Sequence, residues 1–240
     1  MIDYTPIMLR AGQKVNFYGD NATYAPEGME SRFEINGQCY IYCNIMSLLY
    51  KKNFATATTL PRNYIFYDMF SGNENYRRPI YSHPSKDLLL PATTLTTQCY
   101  SGMFQYTCLT RASELPATTL AEQCYWVMFE GCTSLTKAPD LPATTLQEAC
   151  YNAMFQGCSS LTAAPELPAP TLAQYSYQFM FSGCINLSSI TCLATNMSAK
   201  HCTYSWLDGV ASSGTFTKAA DVDWPEGVSG IPSGWTVVEK

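Results

Sequence analysis

The sequence has little charge, and its charges are not clustered. Only 14% of the 240 residues are Asp, Glu, Lys or Arg, and the net charge is −5. The only basic doublets are Lys51-Lys52 and Arg77-Arg78. Because nucleic-acid-binding domains carry a patch or stripe of clustered Lys and Arg, we expect no nucleic-acid partner.

Long apolar runs are also absent. No stretch approaches the roughly 18 consecutive apolar residues of a transmembrane helix, so we expect no membrane insertion. Residues 1–15 lack the apolar core of a secretory signal peptide. The expected location is extracellular or at the cell surface for a mature chain, or on the virion for a phage-encoded one.

Catalytic motifs are missing too. The only histidines are His83 and His201, and no set of nucleophile, base and orienting group can be assembled around either of them. The sequence contains no G-x-S-x-G elbow, no phosphate-binding loop and no H-E-x-x-H metal motif. These absences predict that the protein is not an enzyme and has no cofactor and no metal site.

The chain does contain a repeat, which organises most of its length. The hexapeptide Leu-Pro-Ala-Thr-Thr-Leu begins at Leu90, Leu115 and Leu141, and a variant of it begins at Leu167. The successive spacings are 25, 26 and 26 residues. Met-Phe pairs and Gly-Cys-x-x-Leu segments follow in the same register. Self-similarity at such a period is typical of stacked repeat proteins.

Each repeat predicts a helix followed by a short strand. A Thr with Glu or Gln three residues later, as at Thr119 and Glu122, matches a helix capping box. Gly131 stands where a helix would end, so we expect a helix over 120–130 and its equivalents. The proline-bounded segment after Leu135 predicts a strand in a parallel ladder. The predicted fold is a right-handed α/β solenoid of the leucine-rich-repeat type, with turns of about 26 residues.

Comparison of the repeats also predicts the core. Residues that recur in every repeat fill one arc of a helical wheel, and the variable residues fill the opposite arc. The recurring side chains should therefore face the neighbouring repeats. The predicted core consists of Leu120, Cys124, Met128, Phe129, Cys132, Leu135, Leu146, Cys150, Met154, Phe155, Cys158, Leu161, Leu172, Met180, Phe181, Cys184 and Leu187.

The ends of the chain are predicted to be caps, because a terminal layer would otherwise expose its core. We expect a β-rich N-terminal cap at 1–44, with strands near 14–17, 31–35 and 39–42. The solenoid should occupy 45–220, with an insertion at about 73–87. A C-terminal cap should follow at 221–240, where tryptophans plug the last layer.

The repeat resembles a known group. The combination of Met-Phe-x-Gly-Cys-x-Ser-Leu-Thr with Leu-Pro-Ala-Thr-Thr-Leu is similar to the BspA-like leucine-rich repeats of Bacteroides surface proteins and their phages. The resemblance covers roughly residues 39–220, and the tail at 230–237 shares it. It implies a solenoid that serves in cell-surface recognition or adhesion, with no catalytic residues and no defined ligand. Cys43 departs from the pattern at a position where Gly is expected.

Most of the eleven cysteines fall into two columns of the repeat. One column is Cys99, Cys124, Cys150 and Cys202, interrupted by Ser176, and the other is Cys108, Cys132, Cys158 and Cys184. Four thiolates can bind zinc. One cysteine per layer, without any C-x-x-C pair, instead favours small buried thiols in a tight core. Cys39 and Cys43 lie outside both columns.

A column of acidic residues precedes successive Leu-Pro pairs, at Glu114, Asp140 and Glu166. It is either a ladder for cations or a set of solvated carboxylates. Repulsion between like charges on adjacent strands favours solvated carboxylates.

Candidate binding residues lie in two places. The insertion holds the one locally basic patch, formed by Arg77, Arg78, Tyr81, His83 and Lys86. Long loops in compact repeats are often functional, with a disordered spacer as the alternative. The second set is Trp126, Tyr175 and Phe179, at outward positions of the predicted helices. Such aromatic residues either anchor an interface or are scattered surface residues.

These features predict a non-catalytic cell-surface recognition or adhesion scaffold that binds a protein or glycan through the solenoid surface. The alternative is a structural or assembly protein, such as a phage fibre or decoration component, that forms a homo-oligomer through the same surface. The identity of the ligand does not follow from the residues.

Overall fold

The structure is a computed structural model that describes residues 8–18, 33–35 and 37–240. Seven short strands and one 3-10 helix, Ile45–Leu48, are the regular elements in these ranges, and no α-helix is among them. The strands are β1 (Cys39–Ile41), β2 (Cys43–Asn44), β3 (Ile80–Ser82), β4 (Leu88–Leu89), β5 (Ser189–Cys192), β6 (Thr215–Lys218) and β7 (Thr236–Glu239).

The predicted α/β solenoid of the leucine-rich-repeat type is wrong. Residues 120–130 and their equivalents form a chain of tight turns instead of a helix. In the repeat that begins at Leu115 the backbone enters the left-handed region every fourth residue, at Gln123 (φ 53°), Val127 (φ 48°) and Gly131 (φ 68°). We call each such nine-residue segment a turn ribbon. The six turn ribbons span 64–72, 98–106, 123–131, 149–157, 175–183 and 201–209.

The backbone hydrogen bonds explain why this conformation is stable. Alternate N–H groups close turns within a ribbon, as Met128 N–H does on the carbonyl of Tyr125 at 3.3 Å. The others donate to the next layer, as Tyr125 N–H does to Cys150 at 3.1 Å. In each of the first five ribbons all five such N–H groups donate onward. Neighbouring layers therefore satisfy the polar groups that a helix would satisfy internally.

The turn ribbon imitates a helix in its pattern of burial. Two buried residues alternate with two less buried ones, so Cys124-Tyr125 and Met128-Phe129 point inward while Trp126-Val127 lie between them on the outer side. A period of four residues differs from the helical period of 3.6 by only about 0.4 residue per turn. For this reason a helical wheel selects the inward side chains of either structure. Every side chain of the predicted core is buried.

Two ladders of stacked aromatic rings run through the core. In the first, Phe129 lies 5.7 Å from Phe155, and Phe155 lies 5.5 Å from Phe181, with ring planes within 6° of parallel. The second ladder consists of Phe66, Tyr100, Tyr125, Tyr151, Tyr177 and Trp206. The successive repeats therefore lie on one another in a single stack, as expected from their recurring side chains.

The side opposite the ribbons is only partly a sheet. β5, β6 and β7 form a continuous parallel sheet, whereas the equivalent segments of the middle layers meet only through isolated parallel bridges, such as Arg111 with Lys137. The middle segments contain prolines, such as Pro139 and Pro142, which have no N–H to donate. β5 and β6 contain no proline, and there the ladder closes.

The two ends differ in how they are covered. β1 pairs with β3 and β2 pairs with β4, so the end of the predicted N-terminal cap belongs to the first layers of the stack. No strand forms at 8–18, and part of the strand predicted at 31–35 lies outside the described residues. At the other end Trp224 stacks on Trp206 at 5.3 Å, and Trp235 Nε1 donates to the carbonyl of Ala211.

Candidate functional site

The insertion at 73–87 is a folded part of the stack. It supplies β3, which extends the parallel ladder from β1, and it leads into β4, which pairs with β2. The backbone N–H of Cys43 donates to the carbonyl of Asp87 at 2.9 Å. The alternative of a disordered spacer therefore does not apply to this segment.

The regular ladder breaks where the insertion meets the next layer. Here the Ser82 side chain takes the place of a backbone partner. Its Oγ accepts from the N–H groups of Thr110 and Arg111 at 3.1 and 3.2 Å and donates to the carbonyl of Arg111 at 3.2 Å. The two backbones bond directly just before this point, where Cys108 N–H donates to the carbonyl of Ile80 at 3.1 Å, and the Ser82 hydroxyl joins them beyond it.

Arg111 holds the tip of the insertion in place. Its guanidinium donates to the carbonyls of His83 and Lys86 at 2.6 and 3.1 Å. It also forms an ion pair with Asp87, in which Nη2 and Oδ1 are 2.9 Å apart. A planar guanidinium offers five donors in a fixed fork, so one side chain fixes three points of this loop.

The break leaves a groove of about 330 Å³. Its apolar lining includes Ile41, Leu90, Leu109 and Ala138, and its polar lining includes Lys86, Arg111, Glu114 and Lys137. Leu89 on its border is 50% exposed. Ligand sites are typically concave and mostly apolar, with a few polar groups that orient the ligand. We call this feature the insertion groove.

The charged side chains of the insertion groove differ in whether they already interact with another residue of the chain. Arg111 is committed to Asp87, and Lys86 Nζ lies 4.6 Å from the centre of the Tyr42 ring. Within the described ranges no ion pair involves Lys137 or Glu114. One free cation and one free carboxylate therefore border an apolar floor, which suits a ligand with both apolar and polar groups.

The predicted binding residues of the insertion do not form one surface. Arg77 is exposed, but its guanidinium donates to the carbonyl of Gly131 at 2.8 Å. Arg78 is buried, with an ion pair to Glu34 at 2.8 Å, so its guanidinium is not available to a ligand. The Cys108 thiol, hydrogen-bonded to the Tyr81 hydroxyl, raises the pKa of Tyr81.

Of these predicted residues, His83 and Lys86 line the insertion groove. The ring of His83 is held by its neighbours. It contacts Tyr40 and Tyr42 edge-on at 5.3 and 5.1 Å, and its Nδ1 accepts from Ser85 N–H. The binding residues predicted from the sequence do not include Arg111 and Lys137, which also line the insertion groove. Their repeat positions vary freely, and no motif marks them.

The outward aromatic residues form a second, separate cluster. Tyr175 stacks on His201 at 5.8 Å, and Phe179 contacts Tyr204 edge-on at 5.7 Å. Trp126 lies two ribbons away and is partly exposed, without a described ring contact. Only part of the predicted aromatic set is therefore assembled: Tyr175 and Phe179 each contact a ring of the next layer.

Eight of the eleven cysteines are buried, Cys39 and Cys108 are half-buried, Cys43 is exposed, and none of them forms a disulfide bond. Burial raises the pKa of Cys99, Cys150, Cys184 and Cys192 to about 12 and that of Cys132 to about 11. Within the described ranges no group of three or more His, Cys, Asp or Glu residues is arranged to hold a metal ion. Such protonated thiols are poor nucleophiles.

The second cysteine column differs from its prediction in one member. Thr107 rather than Cys108 occupies the first place, and its Oγ1 lies 3.3 Å from Cys132 Sγ. The thiols of Cys132, Cys158 and Cys184 each donate to the carbonyl of a phenylalanine in the preceding layer, at 3.0 to 3.1 Å. These thiols therefore connect the layers. A spacing of 25 residues in this repeat shifted the predicted alignment by one position.

The acidic column consists of exposed side chains. Glu166 pairs with Lys240, and no ion pair involves Glu114 or Asp140 among the residues described. No pocket that we describe is formed around Asp140. This arrangement agrees with the prediction of solvated carboxylates.

Comparisons with known proteins give no match: no family model, no curated protein and no solved structure is similar to this chain. Among the described residues no helix has the length and apolar character needed to cross a bilayer.

Proposed function

We propose that the chain is a non-catalytic recognition scaffold of a cell or virion surface, which binds a protein or glycan at the insertion groove. The observation that carries this proposal is the groove itself. It lies where the repeat is broken, and a folded insertion, fixed by Arg111, forms one of its walls. A ligand surface built on rigid elements loses little entropy on binding.

The distribution of variable residues supports the same role. The recurring side chains lie in the interior of the stack, where they pack against the equivalent side chains of the neighbouring layers. The residues that vary face outward, as they do in other repeat proteins that present an extended binding surface. The sequence resemblance to BspA-like surface proteins also supports a surface role. The leucine-rich-repeat architecture that this resemblance implies gives no support, because the chain does not adopt it.

The test is a screen of the full chain against arrays of glycans and extracellular proteins, followed by measurement of the affinity of each hit. Leu89→Asp changes the border of the insertion groove at an exposed side chain. Ile185→Asp makes the same change at a residue that is 60% exposed and lies three repeats away. We expect Leu89→Asp and Lys137→Glu to weaken a true ligand about tenfold, a loss of about 1.4 kcal/mol, and Ile185→Asp to leave its affinity unchanged.

Two results would contradict the proposal. One is the absence of any ligand in both arrays. The other is an equal loss of affinity in Leu89→Asp and Ile185→Asp, because a groove-specific ligand cannot be sensitive to both.

A second candidate is an assembly protein, favoured by one feature of the C-terminal sheet. All four residues of β7 are exposed, including Val237 and Val238, and within the described chain the outer edge of β7 has no partner strand. Exposed sheet edges are templates for pairing with another chain. Sedimentation analysis tests this function: a concentration-dependent oligomer that Val237→Lys abolishes favours assembly, and a monomer at all concentrations excludes it.

A further inference from the structure

The last turn ribbon, 201–209, ends the stack with open hydrogen-bond donors. In each earlier ribbon every second N–H donates to the following layer; for instance, Phe181 and Gly183 donate to Trp206 and Asp208 at 2.9 and 2.7 Å. In the last ribbon the corresponding donor row is the N–H groups of His201, Thr203, Ser205, Leu207 and Gly209. Only Ser205 in this row has an acceptor among the described residues, the carbonyl of Val228 at 2.9 Å.

The residues after Trp224 show what this donor row binds. Ser229 and Gly230 follow Val228 across the ribbon, and their carbonyls accept from Thr203 Oγ1 at 2.8 Å and from Trp206 Nε1 at 2.9 Å. A turn of the chain, 226–231, is thus seated on the middle of the row through its carbonyl oxygens. It covers too much of this end for a whole layer of a second copy to stack there.

Beyond that segment the row borders an empty space. Leu207, Gly209, Val228 and Ser233 are among the residues that line a pocket of about 250 Å³. This volume is far larger than the space that one water molecule needs, so the pocket can take part of a short peptide segment. Val228 is 62% exposed and offers an apolar contact at its border.

The charge beside the pocket determines which ligand groups can accept hydrogen bonds from the open N–H donors. Asp208 lies between the two open donors of Leu207 and Gly209, its side chain is exposed, and no ion pair involves it in the part of the chain that the structure describes. Its carboxylate repels an anionic ligand and attracts a cation near the same place. A neutral carbonyl beside a basic side chain satisfies both the donors and the carboxylate.

We propose that this end of the stack is a docking site for a basic peptide segment of a partner protein. The peptide's carbonyls accept from Leu207 and Gly209 N–H, and its Lys or Arg side chain pairs with Asp208. The mode is the turn-ribbon counterpart of β-augmentation, in which backbone hydrogen bonds give affinity and side chains give specificity. The site is separate from the insertion groove, so it stands or falls independently of the proposed function.

The chain itself supplies the probe. Residues 205–210 occupy the equivalent place on the preceding ribbon, so we would use the acetylated and amidated hexapeptide Ser-Trp-Leu-Lys-Gly-Val, in which lysine replaces the aspartate. Its titration into the full chain should slow amide hydrogen exchange at Leu207 and Gly209 about tenfold at saturation. Exchange at Ser205, which already has a partner, should not change.

A charge exchange provides the control. The variant Asp208→Lys should lose the lysine peptide and gain the peptide that retains aspartate. Equal binding of both peptides by both proteins would overturn the proposal, as would unchanged exchange at Leu207 and Gly209 under saturating peptide. Protection of these amides by the protein alone, together with a dimer in sedimentation, would identify a second copy as the occupant and would also overturn it.

Discussion

Gly in place of Val127 is expected to give a more stable protein than Ala at the same position. The φ angle of Val127 is 48°, in a region that costs a residue with a Cβ atom roughly 1–2 kcal/mol. Gly avoids this strain, but its freedom in the unfolded chain offsets about 0.4–1 kcal/mol of the gain. The net preference for Gly over Ala is therefore about 1 kcal/mol. Both substitutions remove the valine side chain, so its lost contacts nearly cancel.

Glu130 supplies the matched position within the same turn ribbon. Its φ angle is not in the left-handed region, so there Ala should be more stable than Gly by about 0.5–1 kcal/mol. Urea unfolding of the four variants Val127→Gly, Val127→Ala, Glu130→Gly and Glu130→Ala measures both differences. A helix over 120–130 predicts that Ala is favoured at both positions, by about 1 kcal/mol. If Val127→Ala proves more stable than Val127→Gly, the left-handed backbone is refuted.

Three further predictions concern the core, the thiols and the insertion groove. Phe155→Ala should destabilise the protein by about 3–5 kcal/mol in urea unfolding, because the ring is fully buried between two others. A loss of stability below about 1 kcal/mol, as is typical of surface sites, would contradict the aromatic ladder. In the native protein at neutral pH a thiol reagent should label exposed Cys43 first. The eight buried cysteines should stay protonated and react slowly, since burial raises the pKa of Cys99, for example, to about 12. Fast labelling of all eleven cysteines before unfolding would contradict the packing. Arg111→Ala should speed amide exchange in 83–87, because it releases the carbonyls of His83 and Lys86 and the Asp87 carboxylate. Lys137→Ala should leave this exchange unchanged, and equal effects of the two substitutions would show that Arg111 does not fix the loop.

The repeat and its inward side chains could be predicted from the sequence, but the local backbone could not. A two-in, two-out pattern over nine residues fits a helix nearly as well as a turn ribbon. The residues with positive φ, such as Gln123, Val127 and Phe179, are not the Gly or Asn that usually mark this conformation. Contacts between layers impose it, and such contacts are invisible in a single repeat.

Two local signals predicted a helix where the chain forms a turn ribbon. Thr119 matches a helix cap in sequence, yet in the structure it forms parallel bridges with Thr94 and Thr145 of the adjacent layers. Gly131 has a positive φ in both interpretations, because a helix end and a type II turn demand the same conformation. Neither signal separates the two backbones when it is considered alone.

The candidate site was predicted only as a region. An insertion with basic residues drew attention to 73–87, but Arg78 proved to be buried and Arg77 bonded to the backbone of Gly131. The insertion groove depends on the interruption of the backbone ladder at Ser82 and on Arg111, a residue from the next layer. Its position follows from where two layers stop sharing direct backbone hydrogen bonds, which no local pattern encodes.

The most direct test of the layered backbone is the hydrogen-bond partner of the Phe129 N–H group, measured by NMR through the scalar coupling across the bond. In the stack this N–H donates to the carbonyl of Met154, one layer away, at 2.9 Å. We predict a coupling between Phe129 nitrogen and the carbonyl carbon of Met154. A coupling to the carbonyl of Tyr125 instead, the partner that an α-helix requires, would contradict the turn ribbon and the stack built from it.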